Sequence, residues 1–249
     1  MKIGIQGYGR FGKLIASYLA EDFPVQIFRR TDALAESLSP NICFTTDLRE
    51  FCRNEIIIPA VPISHFRAVL ARMSQHIGPE SLLVDVCSVK EKPVEWMLEL
   101  LSPEVPILAT HPMFGPDSAI TSLEGKKIVL SKIRIDEQRY AAIKSYLAGR
   151  GLQVIEKTPA EHDEQIARSQ LLTHFIGRAL IELEAREQEI DTEGYHRLMK
   201  ILEVVQNDSW ELFHDMNVYN PYAQSIRENL IAALKKVEAQ LQESPRKNG

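Results

Sequence analysis

The first part of the chain alternates short apolar runs with stretches of helical periodicity, and the last third carries helical periodicity alone. Strands are expected at residues 2–6, 24–28, 42–45, 55–60, 81–86, 106–109, 127–131 and 152–156. Apolar residues three and four apart predict helices at 13–20, 48–51, 63–77, 93–100 and 136–148 between them. Nearly unbroken apolar runs such as 55–60 suit strands buried on both faces, as in a parallel sheet. The strand–helix alternation predicts an α/β fold over residues 1–157, a doubly wound, largely parallel Rossmann-type sheet.

From Pro159 no strand-like run recurs. Ile166, Leu172, Phe175, Ile176, Ala179, Leu180 and Leu183 fall on one helical face, followed by Tyr195, Leu198, Met199, Leu202 and Val205, then Trp210 and Phe213. Residues 158–249 are expected to form an all-helical second domain. Ile226, Leu230, Leu234, Val237 and Leu241 then recur at steps of three and four. This seam is more apolar than a lone terminal helix needs, and it predicts a homodimer formed through the helical domain. The polar tail from Glu243, containing Pro245, is expected to be disordered.

At 249 residues, 45% hydrophobic and 25% charged, the composition is that of an ordinary globular protein with room for two domains. No apolar run approaches membrane-spanning length, so a membrane protein is not expected. A net charge of −5 with both signs interspersed gives no basic stripe for nucleic acid. Cys43, Cys52 and Cys87 have no metal-ligand spacing and read as reduced thiols; no metal site is expected. The first residues run directly into a strand, without the pattern of a signal peptide, and the cytoplasm is the expected compartment.

Between the first strand and first helix lies Gly7-Tyr8-Gly9-Arg10-Phe11-Gly12, a GxGxxG sequence in the context where it binds dinucleotides. The first glycine permits a tight turn, the second lets the pyrophosphate approach, and the third allows close helix–strand packing. The helix N-terminus attracts the anion. The second strand ends in Arg29-Arg30-Thr31, and two guanidinium groups beside a hydroxyl suit a ribose 2′-phosphate, which predicts NADP. A later strand end would instead bring Asp32 to the ribose hydroxyls. Val61-Pro62 begins the loop expected beneath the cofactor. Ser88 follows the strand at 81–86, where open α/β sheets bind ligands; capping the next helix is its alternative role.

The stretch Thr110-His111-Pro112-Met113-Phe114-Gly115-Pro116-Asp117 places a histidine at a strand end in a loop stiffened by two prolines, which suits a catalytic base. Combined with the glycine fingerprint, Asp85–Glu91, Ser169–His174, Glu161-His162-Asp163 and Asp208–Phe213, it resembles the prephenate and arogenate dehydrogenases of tyrosine biosynthesis, and most closely their plant-type arogenate branch. The resemblance covers nearly the whole chain. It implies oxidative decarboxylation of a cyclohexadienol, with His111 accepting a hydrogen bond or proton from the ring hydroxyl and Ser88 orienting this histidine and touching the hydroxyl and the nicotinamide.

In the helical domain the resemblance points to Gln170, Thr173 and His174 as groups facing the substrate, and Met113 lines the same site. Where bacterial members carry a carboxylate-binding arginine, this chain has Lys200; Arg197 and Arg227 are alternatives. Asp117 is a candidate partner for an amino group, which favours arogenate over prephenate, although an aspartate there also suits a loop cap. Two other readings stay open: an NADP-dependent dehydrogenase of the hydroxyacid type using Lys200, or a non-catalytic NADP-binding sensor.

Overall fold

The computed structural model describes residues 1–29 and 39–243, so Arg30, Thr31, Asp32 and the polar tail beyond Glu243 lie outside the described residues. The chain divides into two compact units, Met1–His162 and the residues from Asp163 on.

Among its described residues the first unit is built on eight strands, β1 (Ile3–Gln6), β2 (Val25–Phe28), β3 (Ile42–Thr45), β4 (Ile56–Pro59), β5 (Leu82–Asp85), β6 (Ile107–Pro112), β7 (Lys127–Arg134) and β8 (Gln153–Glu156). They form one sheet in the order β3-β2-β1-β4-β5-β6-β7-β8. All neighbours are parallel except β6 and β7. The order reverses between β1 and β4, the crevice outside whose carboxyl ends is where open α/β sheets take their ligands. Helices α1 (Arg10–Leu19), α2 (Leu48–Phe51), α3 (Ile63–Met73), α4 (Glu91–Leu100) and α5 (Glu137–Gly149) connect the strands. Ile3, Ile5, Val25, Ile27, Ile56, Ile58, Leu82 and Leu108 form the centre of the core. The Rossmann-type α/β architecture expected from the alternation is the one observed.

One strand differs from expectation in a way that matters for the site. The apolar run ends at Ala109, yet β6 continues to Pro112 because Thr110, His111 and Pro112 pair with Leu130, Val129 and Ile128 of antiparallel β7. His111 therefore lies within the strand, 3% exposed, and the loop begins only at Met113. Pro112 removes one N–H from the ladder, and Met113 resumes bonding to the Lys127 carbonyl at 2.9 Å.

Among its described residues the second unit has helices and no strand. Helix α6 (Pro159–Ile166) crosses the division, followed by a π-helical turn (Ala167–Leu171), α7 (Leu172–Glu182), α8 (Glu193–Val205), α9 (Trp210–Tyr219) and α10 (Ala223–Glu243). Thr192 and Ser209 cap α8 and α9 by accepting from backbone N–H groups one turn on. Among the described residues no helix is long and apolar enough to cross a membrane.

Candidate active site

The glycine loop has the geometry its spacing predicts. Gly7 has φ +105°, in the left-handed region, and a Cβ there would meet the Ala60 carbonyl oxygen at 2.2 Å. A Cβ on Gly12 would strike the Gly7 carbonyl oxygen at 2.0 Å, so α1 packs against the turn only because that residue is glycine. Gly9 meets nothing within 4 Å. It forms the open side of the cradle, and the α1 N-terminus carries no side-chain cap to compete with an anion. These features fit a dinucleotide pyrophosphate.

Beside the loop, the Arg29 guanidinium lies 3.5 Å over the Phe44 ring and 5.1 Å from the Tyr8 centroid, with Tyr8 edge-on to Phe44. Val61 and Pro62 lie between β4 and α3, next to Ala60, whose N–H donates to the Gln6 carbonyl at 2.7 Å. Phe11 is half-buried in the first turn of α1.

The ends of β5 and β6 are tied together immediately before His111. Asp85 and Lys90 are both fully buried and form an ion pair. The Lys90 ammonium also donates to the Thr110 carbonyl at 2.5 Å. Asp85 further accepts from the N–H groups of Cys87 (2.8 Å) and Thr110 (3.2 Å), and the Thr110 hydroxyl donates to the Asp85 carbonyl at 2.6 Å. A buried charge is tolerated when it is paired and hydrogen-bonded, and this pair meets that condition.

His111 is thus carried on a fixed backbone. Its Nδ1 lies 2.9 Å from Nε2 of His162 on α6. Burial holds its pKa well below the ordinary histidine value, helped by His162 and by the positive charge of Lys90. The ring is neutral at neutral pH, as a base must be. Ser88 does not cap α4, whose N-cap is Lys90 with no side-chain bond. The Ser88 hydroxyl is instead buried without a hydrogen-bond partner, available to a bound molecule.

Other expected residues are placed differently. Asp117 makes a 2.6 Å ion pair with Arg10 of the glycine loop, so that carboxylate is already engaged. Met113 is half-buried at the start of the loop after β6. In the second unit the Thr173 hydroxyl donates back to the Ser169 carbonyl at 3.0 Å. Lys200 is exposed on α8. Arg197 is paired with Glu193 at 3.1 Å, and Arg227 donates to Asn217 at 2.7 Å.

Gln170 and His174 do share a face, and sequence reasoning stopped one step short of its third member. Arg178, four residues on, lies over the rings of Trp210 and Phe213 at 5.3 and 5.6 Å and donates to the Asp208 carbonyl at 2.5 Å. Gln170 Oε1, His174 Nδ1 and Arg178 Nε are each buried without a hydrogen-bond partner. Burial lowers the His174 pKa, opposed by Asp208 and assisted by Arg178. The spacing of four was readable in the sequence; the aromatic seat for Arg178 was not.

The family model for the prephenate dehydrogenase nucleotide-binding domain matches residues 29–156, and that for the TYRAAT1-like C-terminal domain matches residues 179–248. Among curated relatives, arogenate dehydrogenase 1, chloroplastic, of Arabidopsis thaliana is 34% identical over 97% of this chain, which spans 39% of that protein's length. Arogenate dehydrogenase 2, chloroplastic, of the same plant is 30% identical over 97% of this chain and 70% of its own. The crystal structure of prephenate dehydrogenase from A. aeolicus, in complex with hydroxyphenyl propionate and NAD+, superposes with a TM-score of 0.73 at 21% identity, over 98% of this chain and 92% of that one. On the shared fold, the glycine cradle and these matches, the chain belongs to the prephenate dehydrogenase family.

Proposed function

We propose that this chain is an NADP-dependent dehydrogenase that oxidatively decarboxylates arogenate to tyrosine, with prephenate as the alternative substrate. The observation that carries the reading is His111, a buried imidazole with a lowered pKa at the pinned end of β6, the neighbour of the strand that Ser88 follows, whose hydroxyl is buried without a hydrogen-bond partner. Gly7, Gly9, Arg10, Phe11 and Gly12 would hold the pyrophosphate, Tyr8, Val61 and Pro62 would flank the cofactor, and Arg29 would face the ribose phosphate. When bound, the nicotinamide supplies the hydride acceptor. The chain's own part is to orient the ring hydroxyl between Ser88 and His111 and to take its proton at His111 Nε2 as carbonyl character develops. Loss of the ring carboxylate as carbon dioxide then aromatises the ring. Positioned bases of this kind contribute about 10²- to 10⁴-fold.

Arogenate is preferred because both plant relatives above are named for it. NADP is preferred because Arg29 lies at the end of β2, although the related A. aeolicus structure holds NAD+. Gln170, His174 and Arg178 are the groups we assign to the substrate's polar end, with Arg178 in the role for which Lys200 was considered. A second copy is proposed to cover α10, where Leu234, Val237 and Leu241 are 62%, 55% and 68% exposed.

Reduced-cofactor formation with arogenate and with prephenate, each with NADP and NAD, tests the reading. Turnover with arogenate and NADP is expected. No turnover with either substrate, in protein that binds NADP, would leave the sensor or hydroxyacid readings in its place.

A further inference from the structure

The hydrogen-bond chain at His111 does not end at its own ring. His111 Nδ1 and His162 Nε2 are 2.9 Å apart, the ring planes are inclined at 69°, and the two residues are 3% and 2% exposed. At that distance one nitrogen carries the hydrogen and the other supplies the lone pair. If His162 donates, neutral His111 keeps its only hydrogen on Nε2 and has no lone pair for a substrate hydroxyl. If His111 donates, Nε2 is the basic nitrogen, and a proton taken there leaves an imidazolium whose Nδ1–H is already hydrogen-bonded to His162 Nε2.

The backbone around His162 is built for such a role. Thr158 and Glu161 form a reciprocal capping box at the start of α6. The Glu161 N–H donates to the Thr158 hydroxyl at 3.3 Å, and Glu161 Oε2 accepts from the Thr158 N–H at 3.0 Å and from its hydroxyl at 2.8 Å. The His162 N–H closes the turn on the Thr158 carbonyl at 3.0 Å. His162 is the next residue after the box, so its Cα is set by the most constrained turn of the helix. The Lys90–Asp85 pair pins the strand end that carries His111, and the Lys90 charge opposes protonation of the imidazole. Asp163 follows His162 on α6 and is fully buried. His162 thus offers His111 Nδ1 a hydrogen-bond partner set on a capped helix turn.

We propose that His162 is the positioning residue of the site. Its Nε2 accepts the Nδ1–H of His111, which fixes the ring and selects the tautomer that leaves Nε2 free to receive a proton. The proposal rests on the reading of His111 as the base and deepens it. No covalent bond is made or broken at His162; the hydroxyl proton goes to His111 Nε2, and His162 keeps the hydrogen bond at Nδ1.

The test uses the full chain with arogenate and NADP. His162→Leu, which fills a similar volume and accepts no hydrogen bond, is expected to lower kcat about 10- to 100-fold with NADP affinity within about twofold of the parent. His162→Gln places an acceptor oxygen near the lost Nε2 and is expected to recover most of kcat. Full kcat in His162→Leu, or a folded His162→Gln no better than a folded His162→Leu, would overturn the proposal. Nitrogen chemical shifts of the His111 ring in the parent protein decide the matter even if the variants fail to fold. Protonated Nδ1 with unprotonated Nε2 supports it, and the reverse tautomer overturns it. His111→Ala separates the two levels: inactivity there beside a fully active His162→Leu removes only the positioning role, whereas retained turnover in His111→Ala removes the base assignment itself.

Discussion

At the scale of single residues, the burial of His111, the proposed base, makes folding stability depend on pH. Its pKa in the folded protein lies well below the ordinary value, chiefly through burial, and His174 is shifted in the same direction. Above pH of about 6.5 neither the folded nor the unfolded chain protonates these rings, and the shift has no effect on stability. Below it the unfolded chain binds protons that the folded chain refuses, so stability is lost as pH falls from about 6.5 toward the folded pKa values. Urea unfolding followed between neutral and mildly acidic pH should show this decline, and His111→Gln should flatten it; an unchanged slope would mean that another group is responsible. Lys90 gives the complementary prediction. Lys90→Met leaves the Asp85 carboxylate buried without its cation, and such a loss costs about 3–5 kcal/mol, measurable as a lower urea midpoint. The glycine cradle and His111 were legible in the sequence because their chemistry lies in a few consecutive residues. The partners were not: Asp117 meets Arg10 across 107 residues and His162 meets His111 across 51, and no local pattern encodes such contacts.

At the scale of elements, legibility followed how much of each element's stability comes from its own sequence. Strands β1, β2 and β4, apolar and buried along their whole length, were located within a residue or two. Strand β6 was cut short because its last residues are held by pairing with β7 and have no apolar pattern of their own. The π-helical turn at Ala167–Leu171 likewise left no signature in the periodicity; such turns often mark functional positions, and this one carries Gln170. Helix α10 is the opposite case. Its apolar stripe was read from spacing, and of its members Leu234, Val237 and Leu241 are exposed while Ile226 and Leu230 are half-buried. A stripe of this kind on a lone helix has no partner within its own turns, and pairing with a second copy would bury it. Light scattering should therefore give twice the chain mass, and Leu234→Glu with Val237→Glu should give a monomer. A parent protein that is already monomeric at micromolar concentration would remove the dimer.

At the scale of the whole nucleotide-binding unit, the sheet's helices leave part of one face thinly covered. An apolar cavity of about 290 Å³ runs between Ile15 and Leu19 of α1 and Ile143 and Leu147 of α5, floored by Ile58 and Val84. The topology explains it. Helix α1 returns the chain from β1 toward the β2 edge, and α5 joins β7 to β8 at the other edge, so the central strands lie between the two. An apolar space that size forfeits packing contacts along its walls, and each methylene moved into it regains about 0.8 kcal/mol. Val84→Ile adds one such group over the cavity floor without disturbing the core on the other face of β5. The expected result is a rise in Tm of about 2 °C for a domain of this size, with substrate turnover unchanged because Val84 lies three strand positions or more from His111 and Ser88 in the chain's own order. A fall in Tm would show that the added methylene is not accommodated in the space and clashes with its walls instead.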